Sequence, residues 1–271
     1  MSLDQESGGL ALATAAPHAF VRLAPPSGST WFTRHPGSAS AKIREKAVCT
    51  PGIPQGVLEQ YRKLAASLHH SQAEHGTRII MMASTLASEG KTLTATNLAL
   101  TLSESYRRRV LLIDADLRRP TVQLMFDLPN VSGLNDALHG DEDARCSIFD
   151  VSTHLSILTA GRPNQDPMSG LTSDRMRRLI TAAATEFDWV IIDTPPVGIL
   201  PDANLLAAMV DTVILVVAAG GTPFRLVNRA VEAIGRDRIF GVVLNKVHAE
   251  DLWGGYSSYS YYGYGTQDDQ R

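Results

Sequence analysis

The sequence predicts an α/β fold, a mostly parallel sheet with helices on both faces, and two observations carry that prediction. First, six short apolar runs are rich in branched residues and show no polar alternation: RIIMMAS (78–84), RVLLIDAD (109–116), LSILTAG (155–161), WVIIDTPP (189–196), DTVILVVAA (211–219) and IFGVVLN (239–245). Strands buried on both faces read this way. Second, helical patterns such as GKTLTATNLALTLSESY and TPFRLVNRAVEAIG lie between the runs, and such alternation implies right-handed crossovers with helices on both faces. Ligands of these folds sit at the carboxyl ends of the strands, so the chemistry is sought just after each run.

In chain order, residues 1–50 are rich in Ala, Pro, Ser and Gly without periodicity and predict a disordered leader. Residues 51–76 hold GVLEQYRKLAASLHH, with Val57, Tyr61, Leu64 and Leu68 at helical spacing and Leu58 and Ala65 beside them. This predicts an amphipathic helix and a candidate oligomerisation element. Residues 77–248 carry the alternating runs and form the main domain. Residues 249–271 form a tail in which WGGYSSYSYYGYG places five of the seven tyrosines within nine residues. With no branched aliphatic residue after Leu252, it buries too little to offset the entropy of ordering it. A flexible tail with exposed phenols is expected, suited to low-complexity association, to stacking on a partner or to offering hydroxyls to an enzyme.

Composition removes several function classes. The formal charge of −3 and the scattered Lys and Arg give no footprint for nucleic acid. The basic runs YRRRV (106–110), DLRRP (116–120) and DRMRRL (174–179) each lie inside a patterned segment, and for the first and third solvated faces are the ordinary reading. Cys49 and Cys146 have neither metal-ligand spacing nor a disulfide framework, as expected of reduced thiols in the cytoplasm. Asp4 and Glu6 stand where a signal peptide needs positive charge. The longest apolar run, TVILVVAA (212–219), is far short of the roughly 20 residues that span a bilayer. A membrane role is therefore expected to come through a partner.

The chemistry starts after the first run, in STLASEGKTLTATNLA. Gly90, Lys91 and Thr92 between a strand and a helix end a phosphate-binding P-loop. Backbone N–H groups at the helix start cradle phosphates, Lys91 reaches the β/γ oxygens and the Thr92 hydroxyl is placed for Mg²⁺. The consensus asks for glycine where Thr85 stands. The second run ends in Asp114 and Asp116, which would share one side of a strand, and the fourth ends in Asp193, placed as a Walker B carboxylate. Three carboxylates at strand ends beside a Gly-Lys-Thr predict a P-loop NTPase-like domain with an ATP and Mg²⁺ site. Asp116 and Asp193 would hold the cation, and Asp114 would accept a proton from an attacking hydroxyl.

From about residue 57 to the end the chain resembles the bacterial tyrosine kinases, P-loop autokinases of capsular and exopolysaccharide machinery. The resemblance rests on EQYRKLAASL, SEGKT, VLLIDADLRRP, IIDTPPVGILPDA, GVVLNKV and the tyrosine cluster. It implies a nucleotide site at Thr85, Ser88, Glu89, Gly90, Lys91, Thr92, Leu93 and Asn245. It further implies metal ligation by Thr92, Asp116 and Asp193, and catalytic roles for Lys91, Asp114 and Asp116. Tyr256, Tyr259, Tyr261, Tyr262 and Tyr264 become the phosphoacceptors, modified between subunits of a homo-oligomer. The implied partners are the cytoplasmic segment of a membrane polysaccharide co-polymerase, which recruits the chain to the inner face of the membrane, and a tyrosine phosphatase. Asn245 resembles a residue that faces the nucleotide base, and an amide capping the strand end fits it as well.

The rival is a non-kinase ATPase switch of the chromosome-partitioning type that binds a membrane partner. That group carries a signature lysine where Leu86 stands and lacks the terminal tyrosines. Two departures from the kinase pattern remain. Glu59 and Arg62 match an ExxRxxR assembly motif whose last position is Ala65, and Ala218 replaces a common arginine.

Overall fold

A computed structural model describes residues 20–25, 47–140, 146–162, 167–199 and 203–247. After strand β1 (Phe20–Leu23) come helix α1 (Gln55–His75), β2 (Ile79–Ser84), α2 (Lys91–Leu100), β3 (Val110–Asp114), α3 (Val122–Phe126), α4 (Leu134–His139), β4 (Cys146–Asp150) and β5 (Leu155–Leu158). Then follow α5 (Pro167–Leu171), α6 (Asp174–Glu186), β6 (Trp189–Asp193), α7 (Ala203–Ala207), β7 (Thr212–Ala218), α8 (Phe224–Ile234) and β8 (Ile239–Asn245). All six predicted runs are strands. They join one sheet of order β1-β4-β5-β3-β6-β2-β7-β8, parallel except where β4 meets β5.

The two-residue period of a strand sends alternate side chains to opposite faces, and each face is covered by its own helices. Leu111, Ile113, Val190 and Ile192 pack with Leu134 and Leu138 of α4, Met176 and Ile180 of α6 and Ile234 of α8. Val110, Leu112, Trp189 and Ile191 pack on the other face with Ala65 and Leu68 of α1, Leu98 of α2 and Met125 and Phe126 of α3. The runs of β2, β3, β5, β6 and β7 lack alternation because both faces are buried; β8 departs from that expectation, an edge strand with Val242 and Leu244 exposed. Helix α1 ends at Gly76, whose φ of 72° and N–H to the Gln72 carbonyl form a left-handed cap.

Two stretches depart from the sequence expectation. Within the leader expected to lack structure, Phe20–Leu23 pair in parallel with Cys146–Phe149. Arg22 anchors that strand with ion pairs to Asp150 at 2.9 Å and Glu186 at 3.3 Å, Phe20 meets Phe187 edge-on, and Ala47 is buried. A four-residue segment gains a place through these contacts with residues far along the chain, which a local reading does not register. Strand β4 was likewise not among the runs. Its sequence CSIFD mixes Ser147 and Asp150 with apolar residues, so it has no uninterrupted run.

The predicted tail and its five tyrosines lie outside the described residues. Among the described residues, no helix is long and apolar enough to cross a membrane.

Helix α1 is held mainly by one row of side chains, with Leu68 fully buried and Val57 39% exposed. Leu68→Ala is expected to lower unfolding free energy by about 2–5 kcal/mol through lost burial and the cavity left behind. Val57→Ala should stay within about 0.5 kcal/mol, both read by urea unfolding.

Candidate functional site

Strands β2, β3, β6, β7 and β8 run parallel, so their carboxyl ends, Ser84, Asp114, Asp193, Ala218 and Asn245, gather on one edge of the sheet. The loop from Ser84 to Gly90 climbs from that edge into α2. Two of its residues take the left-handed region, Ser88 at φ 65° and Gly90 at φ 93°, and such turns aim successive N–H groups into a concave anion cradle. Gly90 is required twice, because a Cβ there would also lie 2.0 Å from the Asn245 amide nitrogen.

Glu89 shapes the loop from beneath. Its carboxylate is only 3% exposed. It accepts the Leu86 N–H at 2.7 Å, the Ala218 N–H at 3.4 Å and the Thr222 hydroxyl. The Asn245 amide donates to the Glu89 carbonyl at 2.8 Å. The Asn245 side chain is thus bonded to the loop's backbone at the end of β8. The loop is thereby tied to the ends of β7 and β8.

The start of α2 is tied to β6. Asp193 pairs with the Lys91 ammonium through one oxygen and accepts the Thr92 hydroxyl at 2.6 Å through the other. Both Lys91 and Asp193 are buried, where a charge is tolerated only when paired. Thr121 adds a hydroxyl contact to Thr92 at 3.3 Å.

The third strand end presents its two carboxylates differently. Strand β3 stops at Asp114, so Asp116 lies in the following turn and not two places along the same strand face. Asp114 is fully buried and accepts the N–H groups of Asp116 at 3.1 Å and of Thr121 and Val122 at 3.0 Å each. Burial foremost, and then the neighbouring Asp193 charge, push its carboxyl up to about 8 against the pull of the Val122 N–H, Lys91 and the Thr121 N–H. Burial also raises Asp116, with Lys91 opposing it. Asp116 accepts the Arg119 N–H at 3.1 Å.

These elements enclose a cavity of about 580 Å³, lined by Ser84, Ala87 to Leu93, Asp116, Arg118, Arg119, Thr121, Pro195 and Pro196. Of the predicted site residues, Ser88, Glu89, Gly90, Lys91, Thr92, Leu93 and Asp116 line it. Thr85, Asp114, Asp193 and Asn245 are not among the lining residues, and the tyrosines lie outside the described residues. Arg118 and Arg119 were not assigned a role from sequence, although the DLRRP run was visible as a basic cluster.

The donor set fits a nucleotide phosphate with Mg²⁺. It offers a hydroxyl and carboxylates as hard oxygen ligands, and a lysine beside a cradle of N–H groups. Among the described residues no group of three or more His, Cys, Asp or Glu side chains is placed to hold a metal alone. Mg²⁺ commonly takes only one or two carboxylates and completes its shell with water and phosphate.

Comparison with known proteins places these residues in context. Residues 80–253 match the CobQ/CobB/MinD/ParA nucleotide binding domain. The tyrosine-protein kinase YwqD of Bacillus subtilis is 33% identical over 214 residues, covering 78% of this chain and 87% of YwqD. The succinoglycan biosynthesis transport protein ExoP of Rhizobium meliloti is 34% identical over 74% of this chain, which spans 26% of ExoP. The solved kinase domain of the Escherichia coli tyrosine kinase ETK superposes with a TM-score of 0.66 at 32% identity, covering 76% of this chain and 80% of that one.

Gly90→Ala is expected to weaken nucleotide binding at least about tenfold, since it strains the loop and displaces Asn245; titration with a fluorescent nucleotide measures it. Asp114 gives a pH signature. Below the unfolded-state value of about 3.9 its carboxyl is protonated in both states, and the stability this gives is lost as pH rises from there through about 8. In buffer free of nucleotide and Mg²⁺, the melting temperature of the wild type should therefore fall relative to that of Asp114→Asn between about pH 4 and pH 8. A constant difference would contradict the buried-carboxyl assignment.

Proposed function

Because the chain belongs to the CobQ/CobB/MinD/ParA nucleotide-binding domain family and, within it, to the bacterial tyrosine kinases, we propose that it transfers the γ-phosphoryl group of ATP to its own C-terminal tyrosines. One observation carries this reading. Asn245, the last residue of β8, is bonded to the P-loop at Glu89, so the segment bearing the tyrosines is rooted beside the phosphate site. From Val247, nine extended residues reach Tyr256 and seventeen reach Tyr264, spans of about 30 Å and 60 Å. Either distance reaches the chain's own site or that of a second copy.

In this reading a tyrosine oxygen attacks the γ-phosphorus, the bond to the β-phosphate oxygen breaks, and ADP leaves. The phenolic proton passes to the aspartate pair at the end of β3. Asp114, in its ionised form, is the proposed acceptor, and Asp116, whose N–H it accepts, lines the cavity. Lys91 holds the phosphate oxygens, and the loop N–H groups around Ser88 and Gly90 fix their position. Mg²⁺, held by Thr92, Asp116 and Asp193, would neutralise charge on the phosphate oxygens.

The chain would act at the inner face of the membrane, recruited by the cytoplasmic segment of a polysaccharide co-polymerase and reversed by a tyrosine phosphatase. Similarity to ExoP, a protein named for succinoglycan transport, supports the polysaccharide role. Transfer between copies is part of this reading, although Glu59 and Arg62 of α1 pair with each other within the helix. Each phosphotyrosine adds about −1.5 to −2 charges, so modified copies would separate.

The test is intact mass after incubation with ATP and Mg²⁺, with and without the cytoplasmic peptide of an activator, and with Lys91→Met as control. Steps of one phosphate mapping to residues 256–264, absent from the variant, are expected. ADP release without any mass step would instead favour the ATPase switch.

A further inference from the structure

Arg118 and Arg119 stand exposed on the rim of the cavity, and neither makes an ion pair among the described residues. The backbone beneath the two rim arginines is nevertheless tightly fixed. The Arg119 N–H is held by Asp116, and Asp114 accepts the N–H groups of Asp116, Thr121 and Val122 on either side of the turn. Adjacent guanidinium groups on an immobilised turn are prepared for paired carboxylates, because the backbone ordering that binding would otherwise require is already complete.

We propose that this pair is the docking site for Asp268 and Asp269 of the chain's own C-terminal segment, in the same or a second copy, and that docking seats the preceding tyrosines at the phosphate site. The proposal rests on the kinase reading above. Charge complementarity selects the occupant. In residues 248–271 the acidic side chains are Glu250, Asp251, Asp268 and Asp269, and the second pair alone follows the tyrosines. Asp268 lies four residues beyond Tyr264. Four extended residues span about 13 Å, which suits an arginine anchor at the rim and a phenol directed into the cavity. The segment begins at β8, whose last residue touches the P-loop, and the 21 residues from Val247 to Asp268 extend to about 70 Å.

The test measures binding without catalysis. The receptor is the full chain carrying Asp268→Asn and Asp269→Asn, so that its own tail does not compete. The probe is a fluorescent peptide of residues 256–271 with every tyrosine replaced by phenylalanine. Replacing the peptide's aspartates by asparagine, or Arg118 and Arg119 by alanine, should each weaken binding about tenfold, and the two together should add little. A receptor with Arg118→Glu and Arg119→Glu should prefer a peptide with Asp268→Lys and Asp269→Lys. In the full chain, Asp268→Asn with Asp269→Asn should slow the initial rate of phosphate incorporation about tenfold while leaving the KM for ATP unchanged.

Unchanged peptide affinity on neutralising either pair would overturn the proposal. So would competitive displacement of the peptide by ATP or by inorganic phosphate, which would give the arginines to the nucleotide. A wild-type chain that gains no phosphate yet binds the peptide through both pairs would remove the kinase reading and leave the docking site standing.

Discussion

The site depends on the pairing of Asp193 with Lys91 and Thr92. A lysine and an aspartate are both buried at the carboxyl edge of the sheet, and each makes the other's burial tolerable. Because Asp193 ends β6 while Lys91 and Thr92 open α2, the contact fixes the angle at which the helix leaves the sheet. The N–H groups of that first helical turn can cradle an anion only when the turn is so placed. Geometry elsewhere in the site follows from this point. Thr121 reaches Thr92 because the turn after β3 is pinned by Asp114, the register neighbour of Asp193 across the β3–β6 pair.

A second set of bonds makes the phosphate loop part of the sheet's far edge. Glu89 and Asn245 bind the loop to β7 and β8 through neutral hydroxyl, amide and backbone donors. Neutral donors orient the Glu89 carboxylate without bringing another positive charge to the cradle, so Lys91 remains the principal cation on that wall. Arg118 and Arg119 also line the cavity, which thus holds a buried lysine and two exposed arginines together with Asp116.

Much of this was legible in the sequence where physics acts locally. Central parallel strands must be apolar throughout, so five of the six runs announced themselves for that reason, the sixth being the edge strand β8, and the Gly-Lys-Thr with its three aspartates located the site. What stayed hidden depends on distant contacts. Phe20–Leu23 is unremarkable until β4 and Phe187 meet it. The burial of Glu89 cannot be inferred from a charged residue in a polar loop, nor can the inward amide of Asn245, since both depend on where β7 and β8 end. The difference between Asp114 and Asp116 turns on where one strand stops, and boundaries are weakly encoded by composition. Arg118 and Arg119 showed in the sequence only as part of the DLRRP run, because their significance lies in the cavity wall beside them.

The pairing of β1 with β4 has a consequence for how the chain is assembled. Phe20 finds Cys146 across 126 residues, and β4 itself reaches the sheet only through two antiparallel pairs with β5. Contacts of such long sequence separation form late because loop closure must precede them. During synthesis β1, the first of the described strands, stays unpaired until β4 has been made. Its closure then marks completion of that end of the sheet, so a segment made before every other described strand is among the last to find its place.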